Sequence, residues 1–219
     1  MTTSSLKLWN YYRSGTSHRV RIALNIKGLS WDYKPLNLLT REHKSTPYLK
    51  ANPQGLAPTL FVNGEALVQS PAILEYIEET WPKPAILPDT AEDRAKVRAM
   101  AMLIGCDIHP LNNLRVLNEV KTLTSENTPP LAWIHKWIKQ GFDALESMLI
   151  SDSGRDPRFC FGTSSGLAEC YLIPQVYAAR RFEFDLKPYP AICQIDEFCA
   201  TQPAFIAAHP DAQPDAPQA

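Results

Sequence analysis

The chain has 219 residues, of which 45% are hydrophobic, and a formal net charge of −1 at pH 7. This length and composition allow a substantial core, in one large domain or two small ones. The near-neutral charge argues against nucleic acid as the main partner. Because the longest apolar runs are far shorter than a membrane span and residues 1–7 lack a secretory apolar core, we expect a soluble, cytoplasmic protein with no membrane partner.

The first eighty residues predict a βαβ unit followed by a ββα unit. Asn63-Gly64 between two short apolar runs is a strong hairpin signal, and Gly28 is a typical residue just beyond a helix end. The predicted strands are Leu6–Tyr11, Trp31–Leu38, Thr59–Val62 and Ala66–Gln69, and the predicted helices are Ser17–Ile26 and Ser70–Trp81, with a helical turn at Pro47–Lys50.

After three prolines at positions 82, 84 and 88, the pattern becomes wholly helical. Thr90-Ala91-Glu92-Asp93 is similar to a capping box and opens a long helix. From His209 onward the Pro, Ala and Asp content predicts a lack of fixed structure. The further predicted helices are Leu131–Leu149, Leu167–Arg180, Ala191–Cys199 and Ala204–Ala207, and the predicted division is a domain 1–82, a linker 83–89, a helical domain 90–212 and a flexible tail 213–219.

Five cysteines and five histidines show no metal-ligand spacing and no C-x-x-C pair. Reduced, mostly buried thiols are therefore expected, and no metal site is predicted.

The stretch from Tyr12 to Arg21 is the most informative part of the chain. Ser14-Gly15-Thr16-Ser17 crowds the point where the first helix should begin, and free N–H groups with the helix dipole favour an anion there. A thiolate is one such anion. A plain helix cap is the alternative interpretation of the same residues.

A second group of residues strengthens the ligand hypothesis. Ala57-Pro58, which enters a predicted strand, is a candidate cis peptide that directs the backbone of Ala57 at an extended ligand. Gln69-Ser70 is expected to cap the next helix, with Pro71 at its first position. Both ends of a small peptide could then be held.

The run Arg13–Leu24 is similar to the signature of zeta-class glutathione transferases, Ser-Ser-Cys-x-x-Arg-Val-Arg-Ile-Ala-Leu. The resemblance extends from about Leu6 to Asp211, and includes Pro174-Gln175-Val176, Arg181-Phe182, Asp185-Leu186 and Pro188-Tyr189-Pro190. It implies an α/β plus all-α protein: an N-terminal thioredoxin-like domain and a C-terminal helical-bundle domain, the cytosolic glutathione transferase fold. It also implies a homodimer.

Three departures from the usual pattern stand out. Ser14-Gly15-Thr16 replaces Ser-Ser-Cys, so no protein thiol lies there, and this version is closer to the maleylpyruvate isomerase branch. Leu56 stands where many members carry a Gln that helps hold glutathione. Gly166 with Glu169 replaces the usual Ser or Thr followed by Asp, which should affect stability more than chemistry.

The resemblance implies a cis–trans isomerisation of a maleyl dicarboxylate with glutathione as a cofactor that is returned unchanged. Physically, this needs a lowered thiol pKa and stabilisation of developing negative charge. Ser14 and Thr16 are the candidate hydrogen-bond donors, in an order left open, and backbone N–H groups from Gly15 to Ser17 would assist.

Further roles follow from the same resemblance. A doubly anionic substrate favours guanidinium groups. The expected glutathione contacts are Ala57 and Pro58 for the cysteinyl part and Gln69 and Ser70 for the γ-glutamyl end, and the expected substrate-binding residues are Arg13, His109, Asn113, Arg115 and Arg181.

Two alternatives remain open at this point. One is a transferase that conjugates or dehalogenates small electrophiles and consumes glutathione. The other is a non-catalytic binding module of the same fold. The sequence does not decide between maleylpyruvate and maleylacetoacetate as the isomerase substrate.

Overall fold

The computed structural model describes residues 5–124 and 130–217. The chain divides into two compact units, Met1–Ile86 with Thr201–Ala219, and Leu87–Ala200. None of the described helices is long and apolar enough to cross a membrane. The strands are β1 (Leu6–Asn10), β2 (Asp32–Pro35), β3 (Thr59–Val62) and β4 (Glu65–Val68), and the helices are α1 (Gly15–Ile26), α2 (Thr46–Ala51), α3 (Ser70–Thr80), α4 (Ala91–Asp107), α5 (Leu114–Thr124), α6 (Leu131–Ser151), α7 (Leu167–Arg181), α8 (Pro190–Cys199) and α9 (Pro203–Ala208).

The first unit is built on one four-stranded sheet with the order β2-β1-β3-β4. Strand β1 pairs in parallel with β2 and antiparallel with β3, which forms the predicted hairpin with β4. Asn63 and Gly64 at the hairpin turn have φ angles of 51° and 95°, as a type I′ turn requires. The predicted βαβ and ββα order, and with it the thioredoxin-like fold of this unit, is confirmed.

A buried ion pair fixes the end of the first unit. The ammonium of Lys27, the residue after α1, lies 2.5 Å from the carboxylate of Glu78 on α3 and also donates to the carbonyl of Trp81 at 2.6 Å. The Glu78 carboxylate accepts from the backbone N–H of Ile86 at 3.0 Å. Residues 83–86 of the predicted linker 83–89 therefore belong to the first unit.

The C-terminal segment, residues 201–217, also belongs to the first unit rather than to the helical one. Helix α9 packs on α1, where Asn25 donates to the carbonyl of Ala204 at 3.0 Å. The side chain of Gln213 donates to the carbonyls of Ala207 and His209, each at 2.8 Å. The boundary at residue 212 and the unstructured tail from His209 are thus corrected, because polar contacts with α1 and within the segment hold it.

The second unit is a bundle of α4 to α8, in which α4 packs against α7 and α6 against α8. Buried carboxylates hold its turns. Glu146 accepts from the N–H groups of Ala191 and Ile192 at 2.7 and 3.0 Å and so caps α8. Glu169 accepts from the N–H groups of Gly166 and Cys160 at 2.7 and 2.6 Å. Glu169, which is longer than the usual Asp, thus caps the start of α7 by accepting from backbone N–H groups. Burial raises the pKa of its carboxyl group.

Helix α5 is absent from the sequence-based prediction, which left residues 108–130 without an element. It is amphipathic, with Leu117 buried and Leu114 and Leu123 exposed. The recurrence of Leu114, Leu117 and Val120 at three-residue intervals is the signal that predicts it.

Candidate functional site

Three separate chain segments meet at one edge of the sheet. Since β3 runs antiparallel to both of its neighbours, β1 and β4 end at the edge where β3 begins. This edge therefore carries the start of α1 after β1, the Ala57-Pro58 turn before β3, and Gln69-Ser70 after β4. The sequence places its main candidate residues in these segments, and the sheet topology brings them together.

The first helix begins at Gly15, two residues before the predicted start, so Ser14 is its cap. The Ser14 hydroxyl accepts from the N–H of Ser17 at 3.2 Å. The N–H groups of Gly15 and Thr16, at the first two helical positions, have no protein acceptor among the residues that the structure describes. Both residues are half-buried, so these two N–H groups and the helix dipole are available to an anion.

The hydroxyls of Ser14 and Thr16 form a short directed chain. Thr16 donates to the carbonyl of Ala57 at 2.8 Å, and its oxygen lies 2.9 Å from that of Ser14. A hydroxyl has one proton, and the proton of Thr16 goes to a carbonyl that only accepts. Ser14 must therefore donate to Thr16, which distinguishes the two hydroxyls that the sequence left unranked.

The Ala57–Pro58 peptide is cis, as predicted. The turn before it is held from the protein side, where the hydroxyl of Tyr48 and the amide of Asn52 each donate to the carbonyl of Leu56 at 2.7 Å. These contacts use the backbone of Leu56, so the replacement of the usual Gln there leaves the turn supported.

The Gln69-Ser70 corner has a strained backbone. Gln69 has φ 69°, a region that few residues other than glycine adopt, and its exposed amide contacts that of Gln54. Gln69 itself precedes α3 without a side-chain cap, while Ser70 is the first helical residue and Pro71 the second. The expected cap at Ser70 is thus displaced by one residue, which leaves the start of α3 open to a ligand.

A buried cation lies beneath this corner, and the sequence analysis did not identify it. Arg19 on α1 is 3% exposed, and its guanidinium donates to the hydroxyl of Ser70 at 3.4 Å. A positive charge in this low-dielectric position favours a carboxylate at the start of α3.

Arg21 fixes the loop between β1 and α1, and it too was missed. Its side chain is fully buried and donates to the side-chain oxygen of Asn10 at 2.9 Å, to the carbonyl of Tyr12 at 2.8 Å and to that of Ala208 at 3.0 Å. An alternation of arginine with Val20 and Ile22 inside an apolar helix is the signal that could have indicated a buried charge.

Ser17 differs from the other predicted residues of the first turn. It is fully buried, and its N–H is engaged by Ser14. Its hydroxyl accepts from the N–H of Tyr11 at 3.5 Å. Ser17 therefore supports the loop from inside.

Arg13, in the first unit, is half-buried with its guanidinium over the ring of Tyr12 at 5.8 Å. The other predicted substrate-binding residues lie in the second unit. His109 follows the end of α4, and Asn113 precedes α5, where its side chain accepts from the N–H of Arg115 at 3.3 Å. Arg115 is exposed.

Arg181 and its neighbour Arg180 have different surroundings at the end of α7. Arg180 forms an ion pair with Asp196 at 2.6 Å. Arg181 is exposed, and its guanidinium lies 5.4 Å from the ring centre of Phe182. Of the two arginines at this helix end, Arg180 thus forms a salt bridge within the second unit, and Arg181 lies against an aromatic ring.

None of the five cysteines, all of which lie in the described part of the chain, forms a disulfide. Burial raises the pKa of Cys160 well above its ordinary value, which disfavours the thiolate at that position. In residues 5–124 and 130–217, no three His, Cys, Asp or Glu side chains are grouped as a metal site would need.

The chain is similar to glutathione transferases and to curated isomerases. Residues 4–79 match the family model "Glutathione S-transferase, N-terminal domain". Maleylpyruvate isomerase of a Ralstonia species is 48% identical over 96% of this chain and 99% of its own, and maleylacetoacetate isomerase of Pseudomonas aeruginosa is 48% identical over 98% and 100%.

Solved structures of proteins with the same names are also similar to this chain. A holo structure of maleylpyruvate isomerase, a bacterial zeta-class glutathione transferase, superposes with a TM-score of 0.93 at 48% identity, over 96% of this chain and all of the other. Maleylacetoacetate isomerase from Anaeromyxobacter dehalogenans with bound glutathione superposes with a TM-score of 0.88 at 40% identity, over 99% and 100%. The expected two-part fold, with a helical second unit, is confirmed.

The environment of His18 predicts how stability depends on pH. Burial, then the charges of Arg21 and His209, hold its pKa well below the ordinary value. The unfolded chain thus binds a proton that the folded chain excludes once the pH falls below about 6.5. We expect the free energy of unfolding, from urea titrations at pH 7 and pH 5.5, to decrease with acidification by up to about 1.4 kcal/mol per pH unit from this group. The variant His18→Asn should have a shallower slope, and an identical slope would contradict the assignment.

Proposed function

We propose that this chain, which belongs to the zeta-class glutathione transferase family of maleylpyruvate and maleylacetoacetate isomerases, is a glutathione-dependent cis–trans isomerase of a maleyl dicarboxylate. The observation that carries the proposal is the meeting of three segments at one sheet edge: the open first turn of α1, the cis Ala57–Pro58 turn and the uncapped start of α3. Together they suit a thiolate, an extended peptide backbone and a carboxylate.

The residues present fit glutathione. The half-buried Ala57, before the buried Pro58, would pair with its cysteinyl backbone, and Gln69 with Ser70 would receive the γ-glutamyl carboxylate at the start of α3. Arg19, 3.4 Å from the Ser70 hydroxyl, adds positive charge beneath that carboxylate. When bound, glutathione supplies a thiolate that adds reversibly to the conjugated double bond, so that the bond can rotate.

Within the first turn, Ser14 is the proposed donor to the sulfur. The Ser14 hydroxyl donates its proton only to the oxygen of Thr16. It can therefore rotate to donate to a thiolate at the loss of that single hydrogen bond. Thr16 is tied to the carbonyl of Ala57 and would position the two segments. The N–H groups of Gly15 and Thr16 would lower the thiol pKa through the dipole of α1.

The substrate carboxylates would be bound by guanidinium groups, whose planar fork matches a carboxylate. Arg181 is the main candidate, because it is exposed and the family resemblance assigns it to a substrate carboxylate. Arg13 lies beside Ser14 in the chain. His109, Asn113 and Arg115 surround the turn between α4 and α5 and complete the proposed substrate-binding set.

A cytoplasmic location and a homodimer form part of the proposal. Five cysteines that form no disulfide suit a reducing compartment, and the family resemblance supports the dimer.

The direct test is to mix purified protein with maleylpyruvate or maleylacetoacetate and a small amount of glutathione, and to follow the loss of the cis enone. We expect many turnovers per glutathione. The two substrates are compared side by side, because relatives with each name are equally similar at 48% identity. Stoichiometric consumption of glutathione would indicate a conjugating transferase, and binding without turnover would indicate a non-catalytic module.

Ser14→Ala and Thr16→Val separate the roles of the two hydroxyls. Loss of the Ser14 donor should lower kcat about 100-fold, as for one donor to a developing anion, with little change in the KM for glutathione. Thr16→Val removes the tie to Ala57 and should raise that KM, with a smaller loss of kcat. Steady-state kinetics of both variants measure this, and the reverse pattern would assign the thiol contact to Thr16.

Arg181→Ala should raise the KM for the dicarboxylate by about 10- to 100-fold, the worth of a charge-assisted hydrogen bond, while the affinity for glutathione stays nearly intact. The matched control is Arg180→Ala, which breaks the pair with Asp196 and should leave that KM unchanged. An equal loss of affinity for both ligands in Arg181→Ala would instead indicate structural damage.

A further inference from the structure

We infer that Asp215 is a positioning residue for Ser14: its carboxylate, supplied by the C-terminal segment, fixes the backbone of the loop that presents the Ser14 hydroxyl. This inference rests on the proposed function and adds a residue that lies 201 positions further along the chain.

The carboxylate of Asp215 receives two hydrogen bonds from the first unit. The backbone N–H of Tyr12 donates to one oxygen at 3.1 Å, and the hydroxyl of Tyr33 on β2 donates to the other. Burial, and then the bond to Asp215, raise the pKa of Tyr33, so its hydroxyl keeps its proton and stays a donor at neutral pH.

Tyr12 is held on its other side by Arg21, whose guanidinium donates to the Tyr12 carbonyl at 2.8 Å. The N–H of Ser14 donates to the carbonyl of Tyr11 at 3.0 Å. The peptide groups before and after Tyr12 are thus both fixed, and Ser14 follows two residues later. A shift at Tyr12 would be passed directly to the Ser14 side chain.

Asp215 is itself held in place, which a positioning residue requires. Two residues before it, the amide of Gln213 donates to the carbonyls of Ala207 and His209. Those residues lie at the end of α9, whose Ala208 carbonyl accepts from Arg21 at 3.0 Å. The carboxylate of Asp215 and the guanidinium of Arg21 therefore both bind Tyr12, and both are hydrogen-bonded to the C-terminal segment or are part of it.

The contact has a selective consequence. Ser14 is proposed to contact only the sulfur, whereas the backbone and the carboxylate of glutathione would bind at Ala57 and at Gln69-Ser70. Loss of Asp215 should therefore raise the pKa of the bound thiol and lower kcat, with little change in the dissociation constant of glutathione. General damage to the fold would weaken binding as well.

The test measures the pKa of the thiol of bound glutathione, by its thiolate absorbance near 240 nm across a pH series, together with the dissociation constant and kcat. In Asp215→Ala we expect this pKa to rise by about one unit, a tenfold change in the ionisation constant, and kcat to fall about tenfold. Asp215→Asn retains an oxygen that accepts from Tyr12 and should recover most of both. Tyr33→Phe removes one support and should have an intermediate effect.

The matched control is Asp211→Ala, an acidic residue of the same segment whose side chain is 75% exposed, which should behave as the wild type. An unchanged thiol pKa in Asp215→Ala would overturn the inference and leave the proposed function intact, as would equal losses of glutathione affinity in the Ala and Asn variants. A wild-type thiol no more acidic than in free solution would overturn the proposed function and, with it, the role of Asp215.

Discussion

The architecture of the first unit depends on the hydrogen bonds that the buried guanidinium of Arg21 donates. A charge in a core is costly unless hydrogen-bonded, and Arg21 meets this demand with acceptors from three parts of the chain. These are the end of β1 at Asn10, the following loop at Tyr11 and Tyr12, and α9 at Ala208. One side chain thus joins the first strand, the first helix and the C-terminal segment, and orders the loop before Ser14.

The sheet supplies the second constraint. Strand β3 runs antiparallel to both β1 and β4, which brings the end of β1, the start of β3 and the end of β4 to one edge. The local sequence gives each of these three segments a distinct feature. These are a hydroxyl-rich first turn of α1, a cis proline before β3, and a start of α3 without a side-chain cap. The Ser14–Thr16–Ala57 chain of hydrogen bonds links two of these segments, so the chemistry proposed for α1 is coupled to the backbone expected to hold the peptide.

Patterns that act over short distances in the chain predicted much of this. Asn63-Gly64 identified the hairpin, Ala57-Pro58 the cis peptide, and the small residues from Ser14 to Ser17 the region where α1 begins. Contacts between distant residues were not predictable in this way. The composition of the C-terminal segment indicates disorder, yet Asp215 is ordered by partners 203 and 182 positions away. The ranking of Ser14 and Thr16 likewise needed the carbonyl of Ala57, which is 41 positions from Thr16.

The most direct test of the central claim is a crystal structure of the protein with glutathione bound. The sulfur should lie within hydrogen-bond distance of the Ser14 hydroxyl and of the first N–H groups of α1, while Thr16 keeps its bond to the carbonyl of Ala57. A sulfur placed away from Ser14, or a Thr16 that turns from Ala57 to contact it, would contradict the division of roles between the two hydroxyls.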